Sequence, residues 1–222
     1  KEPKVDADNI QVLFEVTLNN LKSEGDIDEQ DFLDRADILC SIGQTVLISN
    51  YKKYYKLIEF FSRHSKKRMG VIMGAATLVE IFDEKYYRNL NGGILEAFGI
   101  LFSRDLKILL YPWKDSKTKE LWTSKTTPIH PRLKPLYNYL IFNKKIIDIE
   151  DYNEDVLSIF STEALNRIKS GDSNWEHMVP TFVDQIIKEK CLFGYCGTQP
   201  SKYNNEDPAA AATKAIEQDA KG

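Results

Sequence analysis

The stretch Gly43-Gln-Thr-Val-Leu-Ile-Ser-Asn50, followed at once by Tyr51 to Phe61, constrains the fold more than any other part of the chain. Its first half is a short run of β-branched and apolar residues between polar ones, the pattern of a strand buried on both faces. Its second half sets Tyr51, Tyr54, Tyr55, Ile58 and Phe61 at helical spacing, with Lys52, Lys53, Lys56 and Glu59 mostly on the other side. A strand that enters a helix through a short polar turn is the repeating unit of parallel α/β proteins, and that turn is where they bind ligands. Similar strands are read at Met69 to Met73 and at Leu106 to Tyr111. Val46–Ser49, Val71–Met73 and Lys107–Leu110 are therefore expected as neighbouring or near-neighbouring parallel strands joined by right-handed crossovers.

The intervening segments supply the helices. Phe32, Leu33, Ala36, Leu39 and Cys40 form an apolar stripe that Gly43 terminates. Leu78, Val79, Ile81 and Phe82 follow the small residues Gly74 to Thr77, and Ile94, Leu95, Phe98, Leu101 and Phe102 follow the loop Asn89 to Gly93. Leu133, Leu136, Tyr137, Leu140 and Ile141 predict a further helix with Pro131 in its first turn. Ile10, Leu13, Phe14, Leu18 and Leu21 fall at helical spacing, although Val12 to Val16 would also serve as a strand. The polar segment from Lys114 to Thr127 reads as an exposed excursion. From Ile146 strand-like runs give way to acidic turns and short helices, with Ser161 and Thr181 as N-caps. The expected architecture is a three-layer, Rossmann-like parallel α/β domain over residues 8–147, a helical C-terminal appendage over 148–196, and a mobile tail over 197–222.

Charge and cysteine usage exclude several function classes. With 30 basic and 33 acidic residues the net charge is −3, which does not suit a general nucleic-acid surface. Lys52-Lys53 and Lys66-Lys67-Arg68 read more simply as solvated helix ends. No stretch approaches the roughly 18 consecutive apolar residues of a membrane span. No signal peptide is visible at Lys1 to Asp6, and the absence of an initial Met suggests a processed chain or part of a longer one, with an upstream domain or a protein partner. The 3 cysteines Cys40, Cys191 and Cys196 have neither disulfide-framework nor zinc spacing, so reduced thiols and a cytoplasmic setting are expected, with no metal.

Candidate site residues follow from the expected sheet edge. Ser49 and Asn50 can contact a ligand or cap a local turn. Gly74 allows close backbone approach beside a helix N-terminus, and Tyr111 ends the third strand. Together these four would bind a small anionic or nucleotide-like ligand, with phosphoryl or sugar-phosphate chemistry as the leading class. Glu96 interrupts an apolar run, and a half-buried carboxylate there needs a partner such as Lys85 or Arg104. Lys85, beside Asp83 and Glu84, and His130, between two prolines, are further candidates for proton transfer. No cofactor is specified by any motif. The competing class is a non-catalytic interaction or scaffold domain, for which the same residues fix turns and an interface.

Two resemblances enter here. Thr45-Val-Leu-Ile-Ser-Asn50 with its flanking helices resembles the second motif of haloacid-dehalogenase-like phosphatases, which implies a strand-end Ser holding a phosphate. The chain lacks both the DxD nucleophile motif after an early strand and a later acidic pair for magnesium. Asp31 to Arg35, Val46 to Asn50, Ile81 to Tyr87, Gly92 to Gly99 and Leu192 to Tyr195 resemble a family of uncharacterised bacterial proteins, often labelled automatically as TonB-dependent receptor or nicotinate-nucleotide adenylyltransferase. The residues fit neither label, since β-barrel patterning and an HxGH-type motif are both missing, and the resemblance implies no activity.

Overall fold

The computed structural model describes residues 7–17, 29–115 and 118–195. The chain is mixed α/β, with helices in the majority and a parallel sheet. It divides into two compact units. One contains residues 7–14, 29–46 and 161–195, and the other contains residues 15–17, 47–115 and 118–160.

The larger unit is built on a sheet of three parallel strands, β3 (Gly70–Gly74), β4 (Lys107–Tyr111) and β7 (Ile146–Asp148), in the order β3-β4-β7. Register pairs Val71 with Ile108, Met73 with Leu110 and Ile108 with Ile146. These residues share one face with the core, where Ile108 and Leu110 are fully buried. Against that face pack α2 (Tyr54–His64), α3 (Ala75–Ile81), α4 (Gly93–Leu101) and α5 (Lys134–Phe142), through Tyr55, Ile58, Leu78, Phe98, Leu101 and Tyr137. Burying each such side chain stabilises by about 1.5–3 kcal/mol.

Topology explains why the helices share one face. The strands lie in the sheet in chain order, so both crossovers step the same way, and right-handed connections then place both sets of helices on one side. The other face, carrying Ile72, Leu109 and Ile147, contributes nothing to the hydrophobic core, and Ile72 is 63% exposed. This differs from the three-layer expectation, which requires strand order to reverse within the sheet.

Four further differences concern the strands. Val46–Ser49 forms β2, but its partner is β1 (Phe14–Thr17) in a separate two-stranded sheet, so it is not a neighbour of β3 or β4. The segment around Val12 to Val16 is thus a strand rather than the favoured helix: the backbone N–H of Phe14 donates to Thr45. The polar excursion after β4 folds back on itself, with β5 (Trp113–Lys114) antiparallel to β6 (Leu121–Trp122) and the two indole rings 4.6 Å apart, edge to face. Ile146–Asp148, at the expected boundary between the α/β domain and the appendage, is the third strand of the sheet.

The smaller unit is helical. It joins α1 (Glu29–Ser41) to α6 (Ser161–Ser170) and α7 (Thr181–Lys190) around Ile38, Ile168, Trp175, Val183, Ile187 and Leu192. Gly43, at φ 77°, ends α1 as its position suggested. The buried face of α1 is rotated from the expected stripe: Phe32 and Ile38 point inward with Asp31 and Asp34, whereas Leu33 and Cys40 are exposed. Polar pairing drives the rotation. Asp34 accepts the Phe193 backbone N–H at 2.5 Å and the Gln30 side-chain amide at 2.6 Å. Lys190 reaches both carboxylate oxygens of Asp37 at 2.9 Å.

Candidate functional site

The sheet's C-terminal edge consists of Gly74, Tyr111 and Asp148, since register pairs Gly74 with Tyr111 and Leu110 with Asp148. Two expected site residues therefore do come together. At its β7 end, however, the edge is occupied by the protein's own chain. Ser124 donates its backbone N–H and its hydroxyl to the two oxygens of Asp148, at 2.8 and 2.6 Å, and the Tyr137 hydroxyl donates to the Ser124 carbonyl at 2.7 Å. Burial, with the Asp148 carboxylate nearby, pushes the Tyr137 phenol up to about 12. A carboxylate thus takes the position an anion would occupy. A sheet whose strands follow chain order also lacks the reversal that opens a ligand crevice in Rossmann-like folds.

Gly74 has extended backbone, φ −76° and ψ 159°, and a Cβ built there would meet nothing within 4 Å. Its lack of a side chain is not required by anything in the structure. The helix it precedes, α3, has only 7 residues. Ser49 and Asn50 sit at the end of β2, in a different sheet from Gly74 and Tyr111. Ser49 is buried, donates its hydroxyl to the Glu15 carboxylate at 2.5 Å and accepts the Tyr51 N–H at 3.2 Å. It therefore fixes the turn after β2 and ties β2 to β1. Burial, reinforced by Glu15 and Glu80, raises the pKa of nearby Tyr54, so negative charge already accumulates there. Asn50 is exposed.

The weak catalytic candidates act as local structure. Glu96 is exposed, contrary to the half-buried expectation, and its carboxylate accepts the Gly92 N–H at 2.8 Å, folding back over the start of α4. Gly92 is required for this: a Cβ there would lie 2.9 Å from the Glu96 Cβ. Lys85 is exposed and ion-paired with Asp83 at 2.6 Å, and hydrogen bonding to that carboxylate raises its pKa, which opposes a role as a base. His130 accepts the Arg132 N–H on Nδ1 at 3.3 Å and caps the 3-10 turn Pro131–Leu133. Among the described residues no group of three or more His, Cys, Asp or Glu could hold a metal ion. Cys40 and Cys191 are free and exposed, and Cys196 and the tail over 197–222 lie outside the described residues. No described helix is long and apolar enough to cross a membrane.

The surface the sequence did not reveal is the uncovered sheet face with the edge strand β3. Lys107 donates its backbone N–H to Met69, so by the alternation of a strand the backbone groups of Gly70, Ile72 and Gly74 point away from β4. Among the described residues β3 has no neighbouring strand on that side. It also lacks the usual blunting devices of an edge strand, having no charge, proline or covering element over Ile72. Lys66, Lys67 and Arg68, immediately before it, are exposed and make no ion pair among the described residues. The sequence signal was present in the uncharged Gly-Val-Ile-Met-Gly run after three basic residues, but strand order cannot be read from it. Comparison with known protein families, with curated proteins and with solved structures finds no match.

Proposed function

We propose that the chain is a non-catalytic interaction domain whose uncovered sheet face docks a protein partner. The observation that carries this reading is the 63% exposure of Ile72, on the sheet face that also carries the half-buried Leu109 and Ile147, beside an open strand edge. Contiguous exposed apolar surface of this kind marks interaction sites in folded proteins. A Rossmann-like ligand domain would use this same face to carry its third layer. The small-anion reading is supported by the meeting of Gly74 and Tyr111. It is opposed by Asp148 at the same edge and by Glu15 on Ser49, because each carboxylate repels an anion from the donors it occupies.

A photo-crosslinking residue at position 72 tests the proposal, with the same residue at exposed Tyr139 on α5 as control. The expected outcome is a discrete adduct at 72 alone, mapped by mass spectrometry to the β3 and β4 face and lost when Leu109→Lys is introduced beside the crosslinker. Absence of an adduct, together with saturable stabilisation by a nucleotide or sugar phosphate that Ser49→Ala abolishes, would reinstate the ligand-binding reading.

A further inference from the structure

The geometry points to a specific mode of docking, resting on the interaction-domain reading: an extended acidic segment of the partner adds as a strand to the free edge of β3. Three observations converge on this occupant. The outward backbone groups of Gly70, Ile72 and Gly74 form a ladder half without a partner strand. Ile72 projects onto the uncovered face and offers apolar contact to the side chain of an added strand that lies opposite it. Lys66, Lys67 and Arg68 stand unpaired among the described residues where β3 begins, so charge complementarity selects a partner with carboxylates at the adjoining end.

Antiparallel addition is the stronger pairing per residue. It brings the C-terminal end of the incoming strand beside Lys66 to Arg68, so the segment has an apolar alternating run followed by Asp or Glu. A second copy of this chain meets the requirement less well. Two β3 strands paired antiparallel would bring the basic residues of one copy against Gly74 and Ala75 of the other, where no carboxylate stands in sequence.

Two synthetic peptides test the inference, each alternating valine and threonine, one ending in glutamates and the other in lysines. Binding is followed by anisotropy and by amide hydrogen exchange of the whole protein. The expected result is saturable binding of the acidic peptide alone, slowed exchange at Ile72 and Gly74, and affinity that falls with salt. Lys67→Glu with Arg68→Glu should weaken it about tenfold or more, the equivalent of about 1.4 kcal/mol. Equal binding of the lysine peptide, or binding without protection at Ile72, overturns strand addition. Concentration-dependent protection of β3 without peptide also overturns it, by showing a second copy on the edge. If crosslinking at position 72 succeeds while neither peptide protects β3, strand addition fails and the docking face stands; if both fail, the interaction reading falls with it.

Discussion

Removing the Asp34 carboxylate should loosen the C-terminal end of the helical unit more than any surface change nearby. Asp34 is 2% exposed and accepts two hydrogen bonds, one from Gln30 and one from the Phe193 backbone N–H. The second holds a turn in which Cys191, Phe193 and Gly194 all have positive φ, at 54°, 56° and 71°. Two of these are not glycine, so the backbone there is strained and persists only while its surroundings hold it. A hydrogen bond to a charged group is worth about 1.5–3 kcal/mol, and Asp34→Ala also leaves the Phe193 N–H without its acceptor. Exchange of the Phe193 and Tyr195 amides should therefore accelerate by about ten- to a hundredfold in Asp34→Ala. Asp34→Asn keeps one acceptor oxygen and should lose roughly half as much. Asp37→Ala is the control, because its pair with Lys190 is exposed on both sides and worth about 0–1 kcal/mol. Hydrogen exchange with mass spectrometry reads all three. Equal acceleration in Asp34→Ala and Asp37→Ala, or none in either, would refute the assignment of Asp34 as the buried latch.

Gly92→Ala should destabilise by about 1 kcal/mol because its Cβ collides with Glu96, whereas Gly74→Ala should fall within about 0.5 kcal/mol of the parent, as read by urea denaturation. Tyr137 is protonated more tightly in the folded protein than in the unfolded chain. Its stabilising contribution is complete below the unfolded value near 10 and is lost as pH rises through about 12, so Tyr137→Phe should flatten the loss of stability across that window in urea titrations at graded pH. Ser49→Ala should cost about 0.5–1.5 kcal/mol in the same denaturation assay, through the lost bonds to Glu15 and Tyr51. An Ile72→Lys protein should unfold within about 0.5 kcal/mol of the parent, since the side chain is already in water.

Local pattern made α2, β3, β4 and α5 legible, since each carries its own periodicity and its own punctuation. Gly43 and Pro131 mark element boundaries for the same reason: their backbone requirements act within one turn. What could not be read depends on residues distant in sequence. β2 looked like a central strand because Val-Leu-Ile suits any buried strand, and nothing in it records that its partner is β1. The buried face of α1 is not legible because Asp31 and Asp34 point inward: Asp31 is satisfied locally by Arg35, but Asp34 takes the Phe193 N–H, a donor 159 residues later. β7 escaped notice because three residues of strand, Ile146–Asp148, are too short to show alternation. At the candidate site, Gly74 and Tyr111 were correctly expected at one sheet edge. Their setting is not legible, because Asp148 reaches that edge at the end of a third strand and Ser124 from the turn after β6.

The same long separation orders events during synthesis. β3, β4 and β7 meet in the order in which they leave the ribosome, so the sheet can zip up behind the growing chain with each strand finding its neighbour already in place. The helix α1 is made before any of them, yet the turn that Asp34 holds comes 159 residues later. At a synthesis rate of about 5–20 residues per second, that wait is on the order of ten to thirty seconds. Throughout it, Ile38 lacks the cluster of Ile168, Trp175, Val183, Ile187 and Leu192 that buries it in the finished protein, so the nascent α1 presents an apolar side with nothing to cover it.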